Sequence, residues 1–291
     1  MDESNNNKFI GSPFQKKELF LTFLEKISLV IGSFTLLPVR IIILIFCSLF
    51  GWGCARIGLV GMDETQPASG VRKYLQRFLC LLTRFTFRIC FGFISPKVIG
   101  SLDSDVPVIV AAPHTSFFDL WIFCWLEMEG FCYGISREEN KDIPFYGTVA
   151  TFMQTHFVNR SSKESREEAM DTIVSRAKEM AWGRLIIFPE GHCSNGSGLL
   201  PFKKGAFLPS ISKIQPVVLR YPNRVDCTSW HEGGDHWMKV VMRAMATLYT
   251  RAELEIMPAV TPQGDPLVFG ELVREAMGER AGLPLHHFKE D

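Results

Sequence analysis

The sequence predicts an α/β domain, a mixed sheet flanked by helices, behind a membrane-anchoring hydrophobic helical segment at the amino terminus. Three observations carry that prediction. From Ile27 to Ala55 the only charge is Arg40. After Ser95-Pro96 the composition changes. From there, short apolar runs alternate with longer periodic stretches, as strands alternating with helices do.

Residues 1–26 read as a polar leading segment, with Asn5 to Asn7 and then Lys16-Lys17. No short apolar core followed by a small-residue cleavage site marks a removable signal peptide there. Residues 27–61 follow as a transmembrane or re-entrant segment. A continuous helix of that length crosses a hydrocarbon core of about 30 Å. Two halves bent at Pro38 and Arg40 form a re-entrant hairpin instead. Residues 71–95 read as an amphipathic membrane-interface helix. Lys73, Arg77, Arg84 and Arg88 fall within a narrow arc of an α-helix, among Phe and Leu residues. Such a stripe suits anionic headgroups; a solvated charged face on a core-packed helix fits it equally.

The main domain spans 98–282, and 283–291 is a short tail. VPVIVAA (106–112), GRLIIFP (183–189), IQPVVLRY (214–221) and ELEIMPAV (253–260) read as strands, and 155–160 as a short one. Helices are predicted over 120–128, 165–181, 236–249 and 267–280. Lys+Arg and Asp+Glu both number 31, so a strongly basic nucleic-acid binder is not expected. The eight cysteines form no C-x-x-C pair and several sit in apolar runs. They are expected to be free thiols acting as small hydrophobes. No ligand set has zinc spacing and no D-x-D-x-D-G calcium loop occurs, so no metal site is expected.

The first run carrying chemistry follows the strand over 106–112: Pro113-His114-Thr115-Ser116-Phe117-Phe118-Asp119. A histidine at the end of a buried strand is placed where α/β proteins put active sites. His114 can act as general base, and Asp119 can orient its imidazole and stabilise the imidazolium. The nucleophile then belongs to the substrate. By itself the pair is weak, because two fixed residues coincide often by chance. A satisfied loop histidine and a helix-capping aspartate fit it as well. No G-x-S-x-G elbow is present to suggest a serine hydrolase.

A second run, FPEGHCSNGSGLLPFKKGAF, follows the strand over 183–189. Its glycine-containing turn can aim backbone N–H groups and a lysine at an anion. Glu190 is a candidate for a substrate hydroxyl or a cationic group. Arg160, ending the short strand, and Lys203 are candidate phosphate contacts, Arg by a bidentate fork and Lys as a point charge. Either alone also reads as a solvated surface charge. Asn159-Arg160-Ser161 and Asn195-Gly196-Ser197 have sequon form. Both lie in the candidate blocks, and neither is expected to be glycosylated.

Together these blocks resemble the glycerolipid acyltransferases of the H-x4-D type. PHTSFFD looks like the first motif of that family, FVNR the second, FPEG the third, and IQPVVLRYPN the fourth, around Pro216. The resemblance covers roughly 98–282, and the order of four blocks makes it specific. FPEGHCSNGSGLLPFKKGAF, QPVVLRYPN and ELEIMPAVTP resemble the lysophosphatidylcholine acyltransferase branch in particular. The resemblance implies that His114 and Asp119 move an acyl group from acyl-CoA to the free hydroxyl of a lysophospholipid. It also implies that Arg160, Glu190, Gly191, Lys203 and Pro216 form the acceptor site. Acyl-CoA is then a co-substrate, with no further cofactor; partners are lysophospholipid and membrane lipids, with no nucleic acid, and the expected location is the endoplasmic reticulum membrane. Lysophosphatidic acid as acceptor, or a weakly active lipid-binding homologue, are the alternatives. Where the family usually has Thr after Glu-Gly, this chain has His192. Some members of the branch carry carboxy-terminal EF-hand modules; calcium control by that route is not expected here.

Overall fold

The computed structural model describes residues 12–17, 19–126, 132–159 and 161–286. Helix α1 (Phe23–Leu59) runs for 37 residues, about 55 Å at 1.5 Å per residue. A capping box starts it: Glu25 N–H donates to Thr22 Oγ1, and Thr22 N–H donates to the Glu25 carboxylate. The helix continues through Pro38, so the re-entrant hairpin is not formed. Packing on both sides of the proline holds the two halves in line. Gly32 and Arg40 lie against α6 (Trp237–Ala246), Gly51 against α2 (Gly70–Cys90), and Gly58 against Phe152 at the end of α4 (Tyr146–Phe152). A Cβ at Gly58 would collide with the Phe152 ring.

Arg40 lies in this small-residue stripe and is buried. Its guanidinium donates to the carbonyls of Met245 (2.8 Å), Thr247 (2.5 Å) and Leu248 (3.2 Å). The last carbonyls of a helix have no partners within it, and a cation there is favourable. The one charge of the apolar stretch therefore fastens α1 to the end of α6.

The amphipathicity of α2 is turned around relative to a soluble helix. Val71, Tyr74, Phe78, Leu81, Phe85 and Ile89, one stripe at helical spacing, face outward. Of the basic residues, Arg84 donates to the Cys124 carbonyl at 2.5 Å, and Lys73 and Arg77 line a cavity of about 620 Å³ against the main domain. Only Arg88 of the four is exposed. The stripe expected to meet headgroups or water is thus mostly directed at protein, and the apolar stripe is left outside.

The sheet has the order β1-β7-β6-β2-β5-β3-β4. Its strands are β1 (Lys97–Ile99), β2 (Val108–Ala112), β3 (Cys132–Arg137), β4 (His156–Val158), β5 (Arg184–Ile187), β6 (Ile214–Arg220) and β7 (Glu253–Ile256). Strands β6, β2, β5, β3 and β4 are parallel to one another; β7 is antiparallel to β6. Strand β2 is buried throughout because helices cover both faces. Ile109 and Ala111 pack with Val240, Ala244 and Met245 of α6. Val108, Val110 and Ala112 pack with α5 (Lys163–Ala177) and α7 (Pro266–Ala281).

The predicted helix over 120–128 is a single turn, α3 (Asp119–Ile122), followed by a 3-10 turn, Phe123–Trp125; residues 127 and 128 lie outside the described ones. Its apolar run reflects burial, with Ile122 and Phe123 both in the core, rather than helical periodicity. Strands β1 and β3 and helix α4 were not predicted. β1 is short and exposed at the sheet edge. β3 has Gly134 beneath the Leu120 side chain where a strand usually shows a bulky residue. Residues 284–286 of the expected tail are tied to the domain: Leu199 N–H donates to Pro284 O, and His286 N–H to Leu199 O. Cys47, Cys54, Cys80, Cys90, Cys124, Cys193 and Cys227 are free thiols.

Arg40→Ala leaves three carbonyls at the end of α6 without their cation. Unfolding of the detergent-solubilised protein should lose about 2–4 kcal/mol of stability, seen as a lower thermal midpoint. An unchanged midpoint would show that water replaces the guanidinium freely.

Candidate active site

Parallel strands deliver their carboxyl ends to one edge of a sheet, which is where α/β folds collect functional groups. β2 leads there to His114, β5 to Phe188 and Glu190, β4 to Asn159, and β6 to Tyr221. All four motif blocks thus reach this edge, each from a separate strand.

Asp119 is fully buried, and four donors converge on its carboxylate. Oδ2 accepts from His114 Nδ1 (2.8 Å), Thr115 N–H (2.8 Å) and Ser116 N–H (3.0 Å). Oδ1 accepts from the Tyr221 hydroxyl at 2.6 Å. Asp119 begins α3, and its side chain reaches back to the turn that precedes the helix. With Nδ1 held as the donor, Nε2 is the basic nitrogen of His114. The imidazole stacks on Phe188 with centroids 4.2 Å apart, and its side chain is 20% exposed. Cys193 Sγ lies 3.3 Å from Nε2. Burial opposes the imidazolium, but Cys193 and Asp119 favour it and prevail, so the His114 pKa stands well above its ordinary value.

Glu190 has another task than the one expected of it. Its side chain is 2% exposed, and each oxygen takes a backbone donor: His114 N–H at 2.5 Å and Leu200 N–H at 2.8 Å. It ties the turn after β2 to the loop after β5, both oxygens being engaged by backbone donors. Burial pushes its pKa up to about 7 against the two N–H donors. Ser194 N–H adds a second tie, donating to His114 O at 2.8 Å.

Gly191 has φ of 71°, and a Cβ there would meet the Lys203 side chain at 2.9 Å. The positive φ favours glycine, and the close approach shows where the Lys203 side chain lies. Lys203, whose N–H donates to Pro189 O, therefore lies across the Glu190-Gly191 turn. Pro216 does not reach the site. It sits buried in β6 opposite Val110, its carbonyl accepting from Met257 N–H, so its part is in the sheet. Arg160 lies outside the described residues; its neighbour Asn159 leaves β4 at the active edge.

Sequence reasoning missed Tyr221, Cys193, Phe188 and a contact from residues 12–17. Tyr221 and Cys193 lie inside quoted motif text, but nothing in their spacing points to Asp119 or His114. The Asn195 amide donates to Ser12 O (3.1 Å) and Gln15 O (3.0 Å), and its backbone N–H to Pro13 O. The leading segment thus straps the loop after β5. A cavity of about 210 Å³ opens beside it, lined by Lys16, Lys17 and Arg224 and by Asp226 and Asp235.

Glu190→Gln should identify the carboxylate by pH. The wild-type folded state binds a proton more tightly than the unfolded chain, whose carboxyl titrates near 4.5. Wild-type stability relative to the variant should therefore fall as pH rises from about 4.5 to 7. Parallel stability curves for the two proteins would contradict the raised pKa.

Residues 96–219 match the family described as Acyltransferase. The chain is 36% identical over 276 residues to lysophosphatidylcholine acyltransferase 1 of Danio rerio, covering 92% of this chain and 52% of that protein. It is 36% identical over 278 residues to lysophosphatidylcholine acyltransferase 2 of Homo sapiens, covering 92% and 50%. The chain spans about half the length of the curated relatives it matches. A crystal structure of the 1-acyl-sn-glycerophosphate acyltransferase PlsC from Thermotoga maritima shares the fold, with a TM-score of 0.52 at 18% identity over 91% of this chain and 99% of that one. The motif blocks that meet at one sheet edge lie in, or at the end of, the stretch that is similar to the acyltransferase family.

Proposed function

We propose that the protein is a membrane-associated acyltransferase that moves a fatty acyl group from acyl-CoA to the free hydroxyl of a lysophospholipid, lysophosphatidylcholine first among them. The main support is the His114-Asp119 pair, with Nδ1 tied and Nε2 left as base at the active edge. The acceptor hydroxyl gives its proton to Nε2 while its oxygen attacks the thioester carbonyl. The carbon–sulfur bond then breaks, and the leaving CoA sulfur takes the proton from the imidazolium. No residue of the chain needs to carry the acyl group, and the chemistry calls for no metal. Lys203 over the Gly191 turn and Arg160 are proposed to hold the acceptor phosphate. The names of the relatives favour lysophosphatidylcholine over lysophosphatidic acid as acceptor.

The proposed membrane contact rests on the outward apolar surface of α1 and α2. α1 is the helix among the described residues that is long and apolar enough to cross a membrane. Phe34 and Phe46 are 80% and 68% exposed, and Phe50 meets Phe78 of the α2 stripe edge to face. An unpartnered apolar face of this extent is costly in water and favourable in lipid. The endoplasmic reticulum is the proposed membrane.

Purified protein in vesicles, given labelled acyl-CoA and a panel including lysophosphatidylcholine and lysophosphatidic acid, should form diacyl product. His114→Ala should lower the rate by about 10²–10⁴-fold. Transfer that survives His114→Ala would sink the proposal. Because only neutral imidazole accepts the proton, the rate should rise with pH through the raised His114 pKa. Cys193→Ala removes one cause of that rise and should move the acid limb to lower pH.

Replacing Ile42, Phe46 and Phe78 together by Glu puts three charges on the outward surface without touching the core. Co-flotation with phosphatidylcholine vesicles should fall by about tenfold or more. Unchanged flotation would place the membrane contact elsewhere.

A further inference from the structure

Tyr221 lies two residues past the stretch that matches the acyltransferase family, at the end of β6. Its hydroxyl donates to Asp119 Oδ1 at 2.6 Å, on the oxygen that His114 does not use. The ring is held edge-on by Phe93 at 6.2 Å. The preceding residue, Arg220, is pinned to Glu255 of β7 at 2.7 Å, which holds the end of β6 against that neighbouring strand. Burial, together with the Asp119 charge, keeps the phenol protonated at all working pH values, so it remains a donor.

A carboxylate has two oxygens and a rotatable terminal torsion. Oδ2 is fixed by three donors from the 114–116 turn. Oδ1 has the Tyr221 hydroxyl, and this bond sets the carboxylate plane from the opposite side. It also draws negative charge toward Oδ1, away from the imidazole. The titratable groups facing His114 are Asp119 from its own turn, Cys193 and Glu190 from the loop after β5, and Tyr221 acting through Asp119. Two of these, Cys193 and Asp119, favour the imidazolium, which cannot act as base. Tyr221 opposes them.

We propose that Tyr221 is a positioning residue of the acyl transfer, holding Asp119 in register with His114 and limiting its pull on the imidazolium so that Nε2 stays available as base. This rests on the general-base role given to His114 above. Tyr221→Phe removes the hydroxyl alone and keeps the ring contact with Phe93. The His114 pKa should rise by about half to one unit, because an unshared carboxylate stabilises the imidazolium more. The acid limb of the rate should move up in pH by the same amount. At pH 7, kcat should fall about tenfold, with KM for acyl-CoA and lysolipid within about twofold of wild type.

The test has two arms. The His114 imidazole is titrated by NMR in the full-length protein in detergent micelles, wild type against Tyr221→Phe. The same pair is assayed for transfer across pH. The NMR arm reads the Tyr221 effect even when no acceptor in the panel is acylated, so failure of the proposal and failure of the acyltransferase assignment are distinguishable. A second pair, Asp119→Asn with and without Tyr221→Phe, should show no further change in the His114 pKa, since the effect runs through the carboxylate. The proposal is overturned by an unmoved His114 titration in Tyr221→Phe. It is equally overturned by a shift that persists undiminished in the Asp119→Asn background.

Discussion

The active edge depends on a single buried charge. Asp119 has no exposed surface, and removing a carboxylate from water costs several kcal/mol. A hydrogen bond to a charged group contributes about 1.5–3 kcal/mol, so one donor does not offset that cost and several do. The structure supplies four, and each constrains something else. Thr115 and Ser116 must present their N–H groups together, which shapes the turn after β2. The His114 ring must donate through Nδ1, which determines which nitrogen is basic. Tyr221 must arrive from β6, which requires that β6 lie next to β2 and parallel to it. Ionisation of one side chain therefore links a turn, a tautomer and a strand order.

Glu190 repeats the principle with fewer partners. Two backbone donors hold its carboxylate, and burial pushes its pKa up to about 7. What Glu190 achieves is distance control. The His114 backbone and the loop carrying Cys193 are joined through its two oxygens and through Ser194, so the histidine cannot move without that loop. The loop is in turn strapped by residues 12–15 through Asn195.

Much of this was legible in the sequence, and the limits have physical causes. The central strands β2, β5, β6 and β7 were readable because burial on both faces demands unbroken apolar runs. β3 was not, because Gly134 and Ser136 interrupt its run, and its place is set by neighbours rather than by its own pattern. His114 and Asp119 were readable as a spaced pair. The tasks of Glu190 and Pro216 were not, since a carboxylate bound by backbone amides and a proline inside a strand look the same in sequence as ones that meet substrate. Tyr221 was hidden for a different reason. It lies 102 residues from Asp119, and only the parallel pairing of β2 with β6 brings them together. Arg40 shows the same effect in the apolar stretch: a lone cation there suggests a break in a helix, whereas its partners are carbonyls more than 200 residues away.

The two helical layers at the amino terminus have a geometry that suits the chemistry at the sheet edge. α1 starts beside the loop after β6, where Glu25 pairs with Arg224 at 3.1 Å and Lys16 with Asp235 at 2.8 Å. Its first turns are thus on the side of the molecule where β2, β5 and β6 end. Arg40 and the glycine stripe then keep the rest of α1 flat against α6, α2 and α4, with its apolar side chains turned away. A helix held along its length in this way cannot rotate to bury those side chains, and α2 presents its own apolar stripe in continuation. The cavity at that end is lined by both signs, Lys16, Lys17 and Arg224 together with Asp226 and Asp235. Lys16 and Arg224 are already paired there, with Asp235 and Glu25. What the outward face of α1 and α2 shares with the active edge is therefore an end of the molecule, and the buried Asp119 carboxylate keeps the His114 ring oriented at that edge.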